Sequence, residues 1–211
     1  MMKRWMIGML GIATLLGIVG GCGKPTAAPG ASPAATLANL QSAYNGESNA
    51  SARYEAFAVQ ADGEGYKTVA SLFRATARSE AIHAKKHAAM IVKAGAVPKY
   101  SPEAPEVKAT KENLEAAVKG ETGEKDSMYP EFIKQAEADK NGGAALTFKG
   151  AMASEASHAE LFKTALAGLE SWKAGDKEFY VCLVCGYTTM DSALVKCPIC
   201  AAPREKFETV K

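Results

Sequence analysis

Two short stretches set residues able to do chemistry at a repeated spacing: Ser79-Glu80-Ala81-Ile82-His83 and Ser154-Glu155-Ala156-Ser157-His158. Each puts a carboxylate three residues before an imidazole. On a helix that interval stacks the two side chains on one face, a turn apart. Carboxylate oxygens and imidazole nitrogens both bind metal ions. Two such pairs on facing helices are the sequence form of a bridged two-metal site inside a four-helix bundle. That reading requires apolar helices around the pairs, and further acidic ligands.

The chain supplies four helical segments with apolar stripes stepping by three and four. The first, 36–62, aligns Leu37, Leu40, Tyr44, Glu47, Ser51, Tyr54, Ala58 and Ala61. The second, 65–94, aligns Val69, Leu72, Phe73, Thr76, Glu80, His83, His87, Met90 and Ile91. A loop with Pro98, Pro102 and Pro105 leads to the third, 110–140, with Leu114, Val118, Glu121, Glu124, Met128, Phe132 and Ala136. The fourth, 143–174, carries Leu146, Phe148, Met152, Glu155, His158, Phe162, Ala165 and Leu169.

Every stripe is thus interrupted at mid-length by ionisable residues. One Glu on an apolar face, read alone, is a boundary residue reaching for water, and one Glu-x-x-His is a solvent-facing pair. Four interrupted stripes are another matter, because a buried charge must be paired, neutralised or bound to metal. No stripe offers Lys or Arg at matching depth. Two divalent cations nearly cancel the five inward carboxylates of Glu47, Glu80, Glu121, Glu124 and Glu155. Oxygen donors with two imidazoles suit iron or manganese. His87 has no counterpart on another segment and reads as packing, or as support behind the ligands. Gly120 and Gly123 flank Glu121 at a cost of ~1 kcal/mol each against Ala, and would loosen the backbone so that Glu124 can move.

The five cysteines divide four plus one. Cys182, Cys185, Cys197 and Cys200 form two Cys-x-x-Cys turns that can converge on one tetrahedral ion, zinc or iron. Disulfides fit an oxidising compartment, but cysteines so close in tight turns are better placed to share a metal. Gly186 and Pro198 mark such turns, and the small aromatic tail around them needs the ion as its staple.

The chain has 211 residues, room for one sizeable core and a small module. Hydrophobic residues make up 47% but aromatics only 8%, an alanine-rich balance that favours helix over strand. The formal charge of +2 comes from Lys3 and Arg4, since the first 21 residues hold no acid. No basic stripe marks a nucleic-acid binder. Residues 1–21 read as a basic n-region followed by a short, glycine-weakened apolar run. The run ends in Val19-Gly20-Gly21-Cys22, similar to a bacterial lipobox, so the expectation is export and lipidation at Cys22. An uncleaved anchor is the alternative, and either places the body outside the cytoplasmic membrane. Residues 22–35 form a Pro/Ala-rich spacer.

The stretches NGESNASARY (45–54), SEAIHAKKH (79–87), GETGEKDSMYPEF (120–132) and ASEASHAE (153–160), with CLVCGY and CPIC in the tail, resemble the rubrerythrin family. The resemblance runs from about Leu37 to the C-terminus. It implies a mainly α protein, with a ferritin-like four-helix bundle over 36–175 and a rubredoxin-like domain over 176–211. It further implies two non-haem irons held by Glu47, Glu80, His83, Glu121, Glu124, Glu155 and His158, with Glu80 and Glu155 bridging. Glu124 and His83 would exchange on one iron as the redox state changes. Tyr54 and Tyr129 match family tyrosines beside the site, and core packing would place them there equally well. One further iron, or zinc, would occupy Cys182, Cys185, Cys197 and Cys200. The implied activity is a peroxidase that reduces hydrogen peroxide to water in oxidative-stress protection. Electrons would come from a donor the sequence does not identify, within a head-to-tail homodimer. The alternative is a ferroxidase or iron-binding lipoprotein without peroxide turnover.

Overall fold

The structure, a computed structural model, describes residues 33–173, 175 and 177–211. The leader, Cys22 and most of the spacer lie outside the described residues. Five helices follow: α1 (Pro33–Gly63), α2 (Lys67–Lys93), α3 (Thr110–Gly123), α4 (Tyr129–Ala138) and α5 (Gly142–Ala167). Between α3 and α4 the chain stays helical but widens into a π-turn, Glu124–Met128, so the pair forms the third rod of a four-helix bundle. Among the described residues no helix is long and apolar enough to cross a membrane.

Short turns fold α1 onto α2 and α4 onto α5, as antiparallel neighbours require. The connection from α2 to α3 is long and has a track of its own. Gln41, Asn45 and Asn49 stand four residues apart on α1, and their amides bond the passing backbone. Gln41 exchanges bonds with Lys99, Asn45 accepts from Ser101 N at 2.7 Å, and Asn49 accepts from Glu103 N at 3.0 Å. Otherwise unpaired peptide groups of the crossing are thereby satisfied.

The bundle interior is two apolar clusters with a polar layer between them. Tyr54, Phe57, Phe73 and Phe162 pack at one end, with ring centroids 5.3–6.1 Å apart. At the other end Leu40, Ile91, Tyr129, Ile133 and Phe148 enclose the core. Two stripe expectations fail here. Leu146 is 73% exposed, because stepping back from Phe148 by three and four lands on Ala145 and Ala144, both buried. Met128 is only half-buried, and its neighbour Tyr129 fills the core instead. The π-turn takes up one extra residue, shifting the buried face by one position.

After a 3₁₀ turn, Leu169–Trp172, the tail forms a three-stranded antiparallel sheet of β1 (Phe179–Cys182), β2 (Thr188–Thr189) and β3 (Phe207–Val210), with β1 in the middle. Phe179 and Val181 pack into the bundle cluster beside Trp172, which docks the small sheet against the helices.

Candidate metal centres

Four rods bring ligands to the polar layer. Glu47 comes from α1, Glu80 and His83 from α2, Glu121 from α3, and Glu155 and His158 from α5, all at most 1% exposed. Their donor atoms form two overlapping groups, Glu47–Glu80–His83–Glu155 and Glu80–Glu121–Glu155–His158, each within 4.8 Å. Glu80 and Glu155 belong to both, the geometry two bridging carboxylates must have. His83 Nδ1 lies 2.9 Å from Glu80 Oε2 and 3.1 Å from Glu155 Oε1. His158 Nδ1 lies 2.8 Å from Glu155 Oε2 and 3.2 Å from Glu80 Oε1.

Electrostatics show how poorly this layer fits protons alone. Burial, then Glu80 and the other carboxylates, raises Glu47 well above the usual range. Burial and Glu80 push Glu121 up to about 8. Against its burial, Glu155 and Glu80 hold His83 up to about 10, and His158 rises likewise beside Glu80. Glu80 stays low in spite of burial because both imidazoles face it. Glu47 Oε2, Glu80 Oε1 and both oxygens of Glu155 are buried without an aligned hydrogen bond. Sealed carboxylate oxygens, orphaned and converging, fit two bound cations.

Tyr54 donates to Glu121 Oε1 and Tyr129 to Glu47 Oε1. Glu121 turns its other oxygen, Oε2, to within 3.2 Å of His158 Nδ1, whereas Glu47 Oε1 both accepts from the phenol and lies 4.0 Å from His83 Nδ1, leaving Oε2 without a partner. Glu124 belongs to neither ligand group. It sits half-buried in the π-turn, where burial and then Glu121, Glu155 and Glu80 raise its pKa well above normal. A cation does approach from off the stripes: Arg53 lies 5.3 Å from the Tyr54 ring centroid and faces Glu121 and Glu124 electrostatically. Its place next to Tyr54 on α1 was the available signal.

The four cysteines of the tail form no disulfide. Cys182 and Cys200 sulfurs stand 3.6 Å apart, Cys185 and Cys197 3.4 Å, and all four lie within 4.8 Å. A tetrahedron with metal–sulfur bonds of ~2.3 Å has edges of ~3.8 Å, so one ion fits. Backbone N–H groups of Val184, Cys185, Tyr187 and Ala202 point at the sulfurs, as the tight turns predict.

The two centres meet through backbone. His83 Nε2 is 2.9 Å from Cys185 O, Ser79 donates to Gly186 O at 2.6 Å, and Ser154 donates to Cys185 O at 3.1 Å. His158 Nε2 lies 3.2 Å from Thr188 Oγ1. Each Ser-Glu-x-x-His therefore does more than bind metal: its Ser and the far nitrogen of its His grip the cysteine turn. Sequence reasoning left both serines and Thr188 without a role, and gave Gly186 only that of a turn residue. The repeated Ser before each Glu was the clue.

The rubrerythrin family profile matches residues 38–166, and the profile described as "Rubrerythrin, rubredoxin-like domain" matches 180–208. The chain belongs to the rubrerythrin family. Nigerythrin of Nitratidesulfovibrio vulgaris is 36% identical over 82% of this chain and 85% of that protein. Rubrerythrin-2 of Clostridium acetobutylicum is 36% identical over 80% and 93%. The solved structure of fully reduced, all-ferrous nigerythrin superposes with a TM-score of 0.77 at 35% identity, covering 82% of this chain and 86% of that one. Membership and donor geometry agree: a di-iron carboxylate site lies in a ferritin-like bundle, and a four-cysteine, rubredoxin-like site lies beside it. Rubrerythrins are oxidoreductases, and this chain carries both centres of the family.

Proposed function

We propose that this protein reduces hydrogen peroxide to water, drawing two electrons through the four-cysteine module and two protons from groups around the di-iron site. The supporting observation is the junction in which Cys185 O meets His83 Nε2 at 2.9 Å. A storage or ferroxidase protein has no use for an electron inlet bonded to its metal ligand. Glu47, Glu80, His83, Glu121, Glu155 and His158 would hold the irons, and Glu124, the carboxylate on the π-turn, would exchange with His83. Iron, when bound, supplies the electrons that break the O–O bond.

The side chains do the rest. Burial, then the nearby carboxylates, pushes the Tyr54 and Tyr129 phenols well above their usual pKa, so both stay protonated and aimed at Glu121 and Glu47. They would serve as proton donors at Oη as water forms. Aromatic clusters on either side keep bulk water from the layer. His83 keeps its Nε2 on the cysteine turn while its Nδ1 faces the site.

The lipobox-like leader supports export and tethering through lipid on Cys22, with the catalytic body outside the cytoplasmic membrane. The head-to-tail dimer would make the same junction between chains that a single chain makes here. Mixing a Glu155→Ala chain with a Cys197→Ser chain separates the two arrangements, since regained turnover requires exchanged modules. The main test is stopped-flow mixing of fully reduced, iron-loaded protein with hydrogen peroxide. The expected result is peroxide loss at one molecule per two electrons, with the oxidised four-cysteine absorption returning. Reduced protein left unchanged by peroxide, while oxidising added ferrous iron, would establish the ferroxidase alternative.

A further inference from the structure

Three histidines occur in the chain, and all are buried. Two belong to the candidate ligand groups; the third, His87, does not. It lies one helical turn beyond His83 on α2, fully shielded, with its ring centroid 5.4 Å from Phe148 and 6.0 Å from Tyr129. Its Nε2 is 3.2 Å from the Tyr129 hydroxyl, and its Nδ1 has no hydrogen-bond partner.

The hydrogen count fixes what His87 does. A phenol has one proton, and with Glu47 ionised, as a carboxylate must be to bind metal, Tyr129 gives it to Glu47 Oε1. The 3.2 Å contact is then a bond only if His87 donates, with the proton on Nε2 and the lone pair on Nδ1. The other neutral tautomer would aim two lone pairs at each other and bury an N–H against nothing, a penalty of roughly 1–3 kcal/mol. Burial, then His83 and Lys86, pushes the ring down to about 3, consistent with a neutral imidazole.

The donor chain therefore runs His87 Nε2–H to Tyr129 Oη–H to Glu47 Oε1. Its far end matters, because Glu47 Oε2 is buried without a partner. The phenol holds Oε1, which lies 4.0 Å from His83 Nδ1, so the bond fixes how the whole carboxylate is turned towards the ligand group. We infer that His87 is a positioning residue: its Nε2–H locks the Tyr129 hydroxyl onto Glu47 Oε1, so that the Glu47 carboxylate is held in one orientation towards the metal. The opposite half of the centre is backed differently. Tyr54 makes the equivalent bond to Glu121, but the group beside it is the Arg53 guanidinium. Two halves alike in their ligands thus differ in what stands behind the tyrosine. This holds whichever reaction the metals perform.

The first test is nitrogen-15 NMR of the histidine rings in zinc-loaded, diamagnetic protein. His87 should show the neutral Nε2–H form, with that proton slow to exchange. An Nδ1–H tautomer or an imidazolium would overturn the assignment. The second test is cobalt(II) titration followed by absorption. His87→Leu should weaken one of the two bundle metal positions about 10-fold or more, the range for losing a residue that orients a ligand. His87→Gln, whose amide N–H reaches the same point, should recover most of that loss. Tyr129→Phe should weaken the same position and make His87→Leu silent when combined. Wild-type cobalt affinity in His87→Leu, or additive losses in the double variant, would refute it. Should the Leu variant not fold, the tautomer of the unaltered protein decides the matter.

Discussion

The carbonyl oxygen of Cys185, a residue of the sulfur site, lies 2.9 Å from Nε2 of His83, a residue of the carboxylate site. No side chain intervenes between the two centres along this line. The contact is possible because the next residue is glycine. Gly186 has φ of +89°, and a Cβ there would fall 2.3 Å from His83 Nε2 and 2.5 Å from Ser79 Oγ.

Gly186→Ala should therefore push the module off the bundle, adding backbone strain of ~1–3 kcal/mol to the clash. The four-cysteine absorption and the di-iron content should remain. Reoxidation of the sulfur site by peroxide, followed by stopped flow, should slow at least tenfold. An unchanged rate would mean that electrons travel by another route.

Glu80 and Glu155 sit in both ligand groups, so each should matter more than a terminal ligand. Glu80→Ala or Glu155→Ala should lower the iron content of the bundle by at least one ion per chain and abolish peroxide turnover. Elemental analysis and the visible spectrum check this, and the four-cysteine bands should persist. Turnover retained in both variants would remove these carboxylates from the centre.

Metal uptake should depend on pH in a defined direction. In the metal-free layer, burial and Glu80 raise Glu121 to about 8, while Glu155 and Glu80, against burial, hold His83 to about 10. Both groups thus carry protons at neutral pH, and a metal must displace them. Affinity should rise as pH increases from 6 towards 8.5, and binding near pH 6.5 should release at least one proton per pair of ions. Calorimetry in two buffers of different ionisation enthalpy measures that number.

Cys22→Ser should abolish incorporation of radiolabelled palmitate and free the protein from the membrane fraction, leaving both metal centres intact. Palmitate label retained in the variant would rule out Cys22 as the acceptor.

Much of the site was legible because a helix reports its buried face locally. Glu47, Glu80, His83, Glu121, Glu155 and His158 interrupt apolar stripes, and the structure converges all six. The Cys-x-x-Cys turns are likewise short-range patterns, and their sulfurs meet. Period counting failed where helical geometry changed. The π-turn at Glu124–Met128 buried Tyr129, which the stripe had passed over, beside a half-buried Met128. It failed again at Leu146, whose apolar character outweighed its angle on α5.

The amino-acid order by itself determined the helices, the ligand types and the family, because each depends on residues within a few turns of one another. Tertiary structure alone decided which nitrogen faces which centre. His83 touches Cys185 across 102 residues, and Tyr129 meets both Glu47 and His87 across 82 and 42. Such contacts depend on how rods and sheet pack, and on the few hydrogens each polar group has to give. Neither quantity has a period that can be read along a chain.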